Sequence, residues 1–318
     1  MNKTLNILVT GCGGDIGQSI GKMLLKASYT KNLFGIDISN KNAAQFIYPN
    51  FSIGLPFGHP DYLLMLEQFI EKHNIDLIIP ISEPELRFFS KLNILETIGR
   101  AKMLTASSLA LEIGFDKFKT AEFLKNENLP FPKTFLAESL KDIDEFPVIL
   151  KSKTGSGSKD IYKINSMNEF LFHTRNSLGD YVVQEFINSE NGEYTCGLFR
   201  SREGEIRSLI LKRELTGGYS GYGEVVENSD ITSLLEELAV KLNLVGSVNV
   251  QLRMTNSLPK VFEINPRFSS TVLFRYLFGF KDLEWSIKDL LGIALDSYNP
   301  PEVGSKFYKG FNEYINLN

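Results

Sequence analysis

Two neighbouring stretches, VNVQLRM (residues 248–254) and VFEINPRF (residues 261–268), carry the side chains best suited to hold a hard cation. Both are apolar enough to read as strands, and along a strand residues i and i+2 point to the same face. Glu263 and Asn265 therefore project together, and an adjacent strand that brings Gln251 beside them makes three oxygen donors converge. Mg²⁺ favours such ligands and keeps its remaining positions for water and phosphate oxygens. Arg267 follows, with a planar fork that fits the same phosphates. The plain alternative is a polar strand end at a surface. A carboxylate inside an apolar strand is costly to bury unless it is paired or metal-bound, and this weakens the alternative.

A second group lies upstream. VILKSKTGSGSKDI (residues 148–161) puts Lys151 at the end of a strand, before a loop containing Gly155, Ser156, Gly157 and Ser158. A lysine is a point charge for phosphate, and the N–H groups of a glycine-rich loop can meet the same anion. The Walker A order GxxxxGK[ST] is absent, and a mobile surface hairpin explains the stretch equally well taken alone. VVQEFI (residues 182–187) then leads to Glu193 in GEYT. An apolar strand end with free backbone groups suits an adenine ring, and a nearby carboxylate suits a ribose.

The front of the chain offers a competing chemistry. ILVTGCGGDIGQSIGKMLLK (residues 7–26) is a strand, a glycine turn and a helix, with Gly11, Gly14 and Gly17 spaced as in a dinucleotide-binding turn. Asp37 ends the next strand, where a ribose acid is expected. A short-chain-type dehydrogenase or epimerase acting on sugars also needs Tyr-x-x-x-Lys, and none of the twelve tyrosines has a lysine four residues later. With the second half devoted to a different site, the turn reads as structural or as part of a substrate pocket, and not as an NAD site.

These groups have to be positioned by a chain of 318 residues with 43% hydrophobic and 23% charged residues, an ordinary composition for a globular protein. A net charge of −4 argues against nucleic acid and against an anionic membrane surface, because both need a basic face. Cys12 and Cys196 cannot build a metal cluster and read as buried free thiols. The opening MNKTLNILVT reaches a strand too soon for a signal peptide, and no apolar run has the length of a membrane span, so a cytoplasmic location is expected. NILVTG, LFGIDIS and IDLIIPIS alternate with helices such as DYLLMLEQFIEKHN, which predicts a parallel sheet. From about residue 107 the pattern changes to two short helices, a hairpin around the glycine loop, and further strands separated by the helix ITSLLEELAVKLNL.

In this order the pieces resemble the ATP-grasp superfamily, in its carbamoyl-phosphate-synthase-like, carboxylate–amine ligase branch. The resemblance implies an α/β front domain with a Rossmann-like parallel sheet over residues 1–106, followed by an α+β ATP-grasp with two lobes: an N-terminal lobe with the flexible loop (107–183) and a C-terminal lobe with the metal site (184–318). It also implies roles. Lys117, in GFDKFKTAEFLKNENLPFPKT, matches the first phosphate-binding lysine and Lys151 the second, while TGSGSKDI matches the loop that closes over the phosphates. Gln184, Glu185, Phe186 and Ile187 match the hinge that holds adenine, and Glu193 matches the ribose acid. Gln251, Glu263 and Asn265 match the metal ligands, with Arg267 beside them. The loop has fewer glycines than is usual, the hinge opens with Gln184 where glutamate is common, and the metal set has a single acid.

The implied activity is ATP-dependent activation of a small-molecule carboxylate as an acyl phosphate, then its joining to an amine, with Mg²⁺ (or Mn²⁺) on the phosphates. Lys151 and Arg267 carry the catalytic charge. Gly13, Asp15, Ser82, Glu83 and Ser269 to Thr271 are candidates for the acceptor pocket, whereas Arg275 could pair with a substrate carboxylate or with a structural acid. A non-catalytic nucleotide-binding module is the alternative within the same fold. Homo-oligomerisation stays open.

Overall fold

The computed structural model describes residues 4–155, 160–256 and 258–315. The strand–helix alternation at the front builds one six-stranded sheet. Its strands are β1 (Leu5–Thr10), β2 (Thr30–Asp37), β3 (Asn50–Ile53), β4 (Leu77–Pro80), β5 (Thr97–Ile98) and β6 (Ala101–Met103), in the order β3-β2-β1-β4-β6-β5. Neighbours are parallel except for β5 and β6. Strands β1 and β4 are continuous apolar runs because both of their faces are covered. Ile7, Val9, Leu77 and Ile79 pack on one side with α1 (Asp15–Leu24) and with Phe268, Val272, Leu283 and Ile287 from far along the chain. Leu8 and Ile78 pack on the other side with α2 (Tyr62–His73) and α3 (Glu83–Lys91).

The glycine turn has a local structural cause. Gly11 has φ +64°, a left-handed conformation that a side chain resists. A Cβ on Gly17 would sit 2.6 Å from the Cα of Cys12, so α1 can close onto the turn only with glycine there. Asp37 completes the turn from β2: its Oδ2 accepts from the Gly13 N–H at 2.8 Å and its Oδ1 from the Ser39 N–H at 3.1 Å.

Helices α4 (Ser108–Gly114) and α5 (Lys117–Asn126) follow. Next comes a four-stranded antiparallel sheet of β7 (Thr134–Leu136), β8 (Val148–Ser152), β9 (Ile161–Ile164) and β10 (Tyr181–Glu185), ordered β7-β10-β8-β9, with α6 (Met167–Thr174) between β9 and β10. The last sheet is also antiparallel and six-stranded. It contains β11 (Glu193–Arg200), β12 (Ile206–Thr216), β13 (Tyr219–Val225), β14 (Gly246–Thr255), β15 (Leu258–Asn265) and β16 (Lys306–Tyr308), ordered β15-β14-β11-β12-β13-β16. Helix α7 (Ser229–Lys241) precedes β14, and α8 (Val272–Leu277) and α9 (Asp282–Leu290) follow β15.

Strand alternation divides the last sheet into two chemistries. Tyr194, Cys196, Leu198, Val248, Val250, Leu252 and Ile264 face the core made with α4, α5 and α7. The intervening residues Glu193, Thr195, Asn249, Gln251, Arg253, Glu263 and Asn265 share the opposite face, as their cross-strand pairing requires. Both cysteines are buried and free, and burial pushes each thiol up to about 12. Among the described residues no helix is long and apolar enough to cross a membrane.

Candidate active site

The site begins with an irregularity in the ladder. Gln251 lies opposite Glu263 and Leu252 opposite Val261, so Phe262 is an extra, bulged residue of β15. A bulge leaves ladder groups free for other partners. The Phe262 carbonyl turns to Lys151, whose Nζ donates to it at 3.0 Å and to Gln184 Oε1 at 2.9 Å. Gln184 in turn donates from Nε2 to Thr134 Oγ1 at 2.8 Å. One bulge thus joins the four-stranded sheet to the six-stranded one and keeps Gln251, Glu263 and Asn265 on the face between them.

Lys117 comes from a helix start. Asp116 caps α5 by accepting from the N–H groups of Phe118 and Lys119. A cation in the first turn opposes the helix dipole, and this one is also buried, so the position does not serve helix stability. Its Nζ donates to Gly155 O at 2.5 Å and stands 3.9 Å from Glu263 Oε1. Lys151 is buried on β8, and burial lowers its ammonium to about 7, although Glu263 pulls in the opposite direction. Arg267 donates to Phe268 O at 3.0 Å, and its Nη2 lies 3.5 Å from Asn265 Oδ1 and 3.9 Å from Glu83 Oε2. Ser156, Gly157 and Ser158 lie outside the described residues.

Two cavities meet at this point. One, of about 340 Å³, is bounded by Ile149, Lys151, Gln184, Glu185, Ile187 and Phe262. The other, of about 500 Å³, runs to the front sheet and is bounded by Gly11, Gly14, Asp15, Ser82, Glu83 and Ser269 among others. Lys117, Arg213, Gln251 and Glu263 line both.

Not every expected residue meets its expected neighbour. Phe186 lies under the Lys163 ammonium, 4.3 Å from its ring centroid, and is not part of the cavity wall. The Glu185 carboxylate is taken by Lys260 at 2.8 Å and by the Lys133 N–H at 3.0 Å. Arg275 forms the structural pair: its Nη2 is 3.0 Å from Asp282 Oδ2, and both side chains are fully buried. Glu193 is gripped by two arginines. Arg213 donates to Oε1 from Nε at 3.1 Å and from Nη2 at 2.8 Å, and Arg253 donates to Oε2 at 2.8 and 2.6 Å. Burial by itself would raise this carboxyl, but the two arginines outweigh it and hold it below the ordinary range.

Sequence reasoning missed Arg213 and Arg253. The usable signal was Glu193 itself, since a carboxylate at the head of an apolar strand needs a cation on a neighbouring strand. Lys309 was missed too. It lies beyond the last expected strand and reaches back to Asp15 Oδ2 at 2.5 Å.

The residues present suit a hard divalent ion. Among the described residues no cluster of three or more His, Cys, Asp or Glu could hold a metal, so the available set is one carboxylate and two amide oxygens. That set fits Mg²⁺, which needs few protein ligands when phosphates complete its shell.

Residues 115–271 match the sequence family described as the ATP-grasp domain. That stretch is an ATP-grasp domain. It is 29% identical over 145 residues to the coenzyme gamma-F420-2:alpha-L-glutamate ligase of Methanococcus maripaludis, covering 40% of this chain and 48% of that protein. It is 23% identical over 206 residues to the carbamoyl phosphate synthase large chain of Caldanaerobacter subterraneus, covering 57% of this chain and 19% of that one. The chain thus spans half or less of these relatives' lengths. Its fold is shared with the N5-carboxyaminoimidazole synthetase of Staphylococcus aureus solved in complex with ADP. The TM-score is 0.74 and the identity 17%, over 96% of this chain and 82% of the other.

Asp37, upstream of that domain, has structural partners and is not among the residues lining either cavity. Asp37→Ala should cost about 1 kcal/mol through the lost backbone bonds and leave the Michaelis constant for ATP unchanged. Thermal denaturation and ATP titration check both halves. A large rise in that constant would tie the glycine turn to nucleotide.

Proposed function

We propose that the protein is an ATP-dependent ligase that activates a small-molecule carboxylate as an acyl phosphate and joins it to an amine, releasing ADP and phosphate. The observation that carries this reading is the meeting of two cavities at one cluster of charge. Lys117, Gln251 and Glu263 border both, so a phosphoryl group can pass from one to the other without leaving the cluster. In this reading ATP occupies the smaller cavity, with adenine near Gln184 to Ile187 and ribose near Glu193, and the acceptor occupies the larger. Residues 1–106 are a Rossmann-like pre-ATP-grasp domain, 107–183 the N-terminal lobe and 184–318 the C-terminal lobe. The second boundary falls inside β10, whose last residues, Gln184 and Glu185, pair with β7 and β8.

The chain's own residues act by position and charge. Lys151, Lys117 and Arg267 offset the negative charge that builds on the phosphates as a carboxylate oxygen attacks the γ-phosphorus and the bond to ADP breaks. Gln251, Glu263 and Asn265 would hold Mg²⁺, which supplies electrophilic neutralisation of the phosphate oxygens. The amine nitrogen then attacks the acyl carbon, phosphate leaves, and a proton leaves the nitrogen.

Thermal shift gives the first test. A non-hydrolysable ATP analogue with Mg²⁺, at a hundred times its dissociation constant, should stabilise the protein by about 2.7 kcal/mol, and NAD should not. Stabilisation by NAD instead would reverse the assignment. A matrix of carboxylic acids against amines, read by ADP release, then identifies the substrates.

A further inference from the structure

Each of the three oxygens assigned to the metal already has a cation beside it. Arg213 Nη2 donates to Gln251 Oε1 at 2.8 Å, Lys117 Nζ lies 3.9 Å from Glu263 Oε1, and Arg267 Nη2 lies 3.5 Å from Asn265 Oδ1. Within the donor set Glu263 is the one carboxylate beside these three cations, while Arg213 is also paired with Glu193 and Arg267 lies 3.9 Å from Glu83. A divalent ion arriving alone meets repulsion from all three, in surroundings where partial burial strengthens charge interactions.

Arg213 is placed most directly for this effect. It springs from β12, crosses β11, where Glu193 fixes its Nε and Nη2, and reaches Gln251 on β14 with the same Nη2. Its Nη1 lies 3.3 Å from Ser220 Oγ, so the guanidinium is held on three sides. Arg253 shares Glu193 from the far side, and the group of one glutamate and two arginines keeps a net positive charge.

We propose that Arg213 is a positioning residue that guards the metal position. With Lys117 it keeps free divalent ions out, and the ion enters only with a polyphosphate, whose negative charge offsets the cations beside the donor oxygens. The proposal rests on the nucleotide reading above, and its test separates the two.

Mn²⁺ is titrated into the full chain and the free ion is followed by electron paramagnetic resonance, with and without a non-hydrolysable ATP analogue. The wild type should bind Mn²⁺ alone no more tightly than about 1 mM, and far more tightly with the analogue. Arg213→Met should bind Mn²⁺ alone at least about tenfold more tightly than the wild type, and Arg213→Lys, which keeps the charge, should not. Lys117→Met provides an independent gain of the same sign if the Arg213 variant fails to fold. Tight binding of Mn²⁺ alone by the wild type overturns the proposal, as does an affinity that neither charge-removing variant improves. If the analogue recruits no Mn²⁺ while Arg213→Met takes it up alone, the nucleotide reading falls and the guarding role stands.

Discussion

Glu263→Gln should fold normally, retain weak ATP binding and lose at least a hundredfold in turnover. Glu263 is the only acid among the three donors, so glutamine keeps the shape and removes the one formal charge available to a divalent ion. The backbone register does not depend on this charge, because Glu263 is held opposite Gln251 by ladder bonds and by the bulge at Phe262. The side chain is 22% exposed and its cationic neighbour is 3.9 Å away, so the stability change should be small. ADP release measured with the acid and amine found by screening, beside a thermal melt, separates the two effects. Turnover within about threefold of the parent would refute the metal assignment.

Nucleotide affinity should weaken as pH rises above 7, by up to about tenfold per unit, and Lys151→Met should abolish that slope. Burial brings the Lys151 ammonium down to about 7, so above that pH the unliganded site holds a largely neutral amine. Polyphosphate favours the charged form, and binding must then recruit a proton that becomes scarcer with each pH unit. The same group affects folding. The unfolded lysine keeps its proton up to the ordinary 10.5, whereas the folded one releases it near 7. Between those values the unfolded chain binds more protons, so Lys151 makes folding more favourable as pH rises through the window. Stability should therefore climb from pH 7 to 9 more steeply in the wild type than in Lys151→Met. At pH 6.5, where the ammonium is charged, the variant should bind the nucleotide at least about a hundredfold more weakly, through lost charge-assisted contacts. Calorimetry in buffers of different ionisation heat reads the proton uptake directly. Equal pH slopes in both proteins would remove Lys151 from the phosphate site.

The short elements were the least legible. Strands β3, β5, β7 and β16 span two to four residues, too few for an alternation to repeat, and they form because a longer neighbour offers an edge. Helix α3, EPELRFFSK, buries Glu83 and Glu85 along with Leu86 and Phe89. Those glutamates are held by Arg87 and Tyr62, partners that the linear pattern does not announce.

What the sequence by itself determined was local. Alternation set Glu263 and Asn265 on one face, glycine at positions 11 and 17 made the tight front turn, and Asp116 started the helix that carries Lys117. These follow from backbone sterics and neighbouring hydrogen bonds, which act within a few residues. Only the tertiary structure decided the charge partners. Glu193 is bound by arginines 20 and 60 residues away, Lys151 by a carbonyl 111 residues away, and Arg275 by Asp282 in the core instead of by any ligand. A buried charge takes whichever opposite charge or dipole the fold brings within about 3–4 Å, and that distance is set by sheet order and register, which no single segment contains.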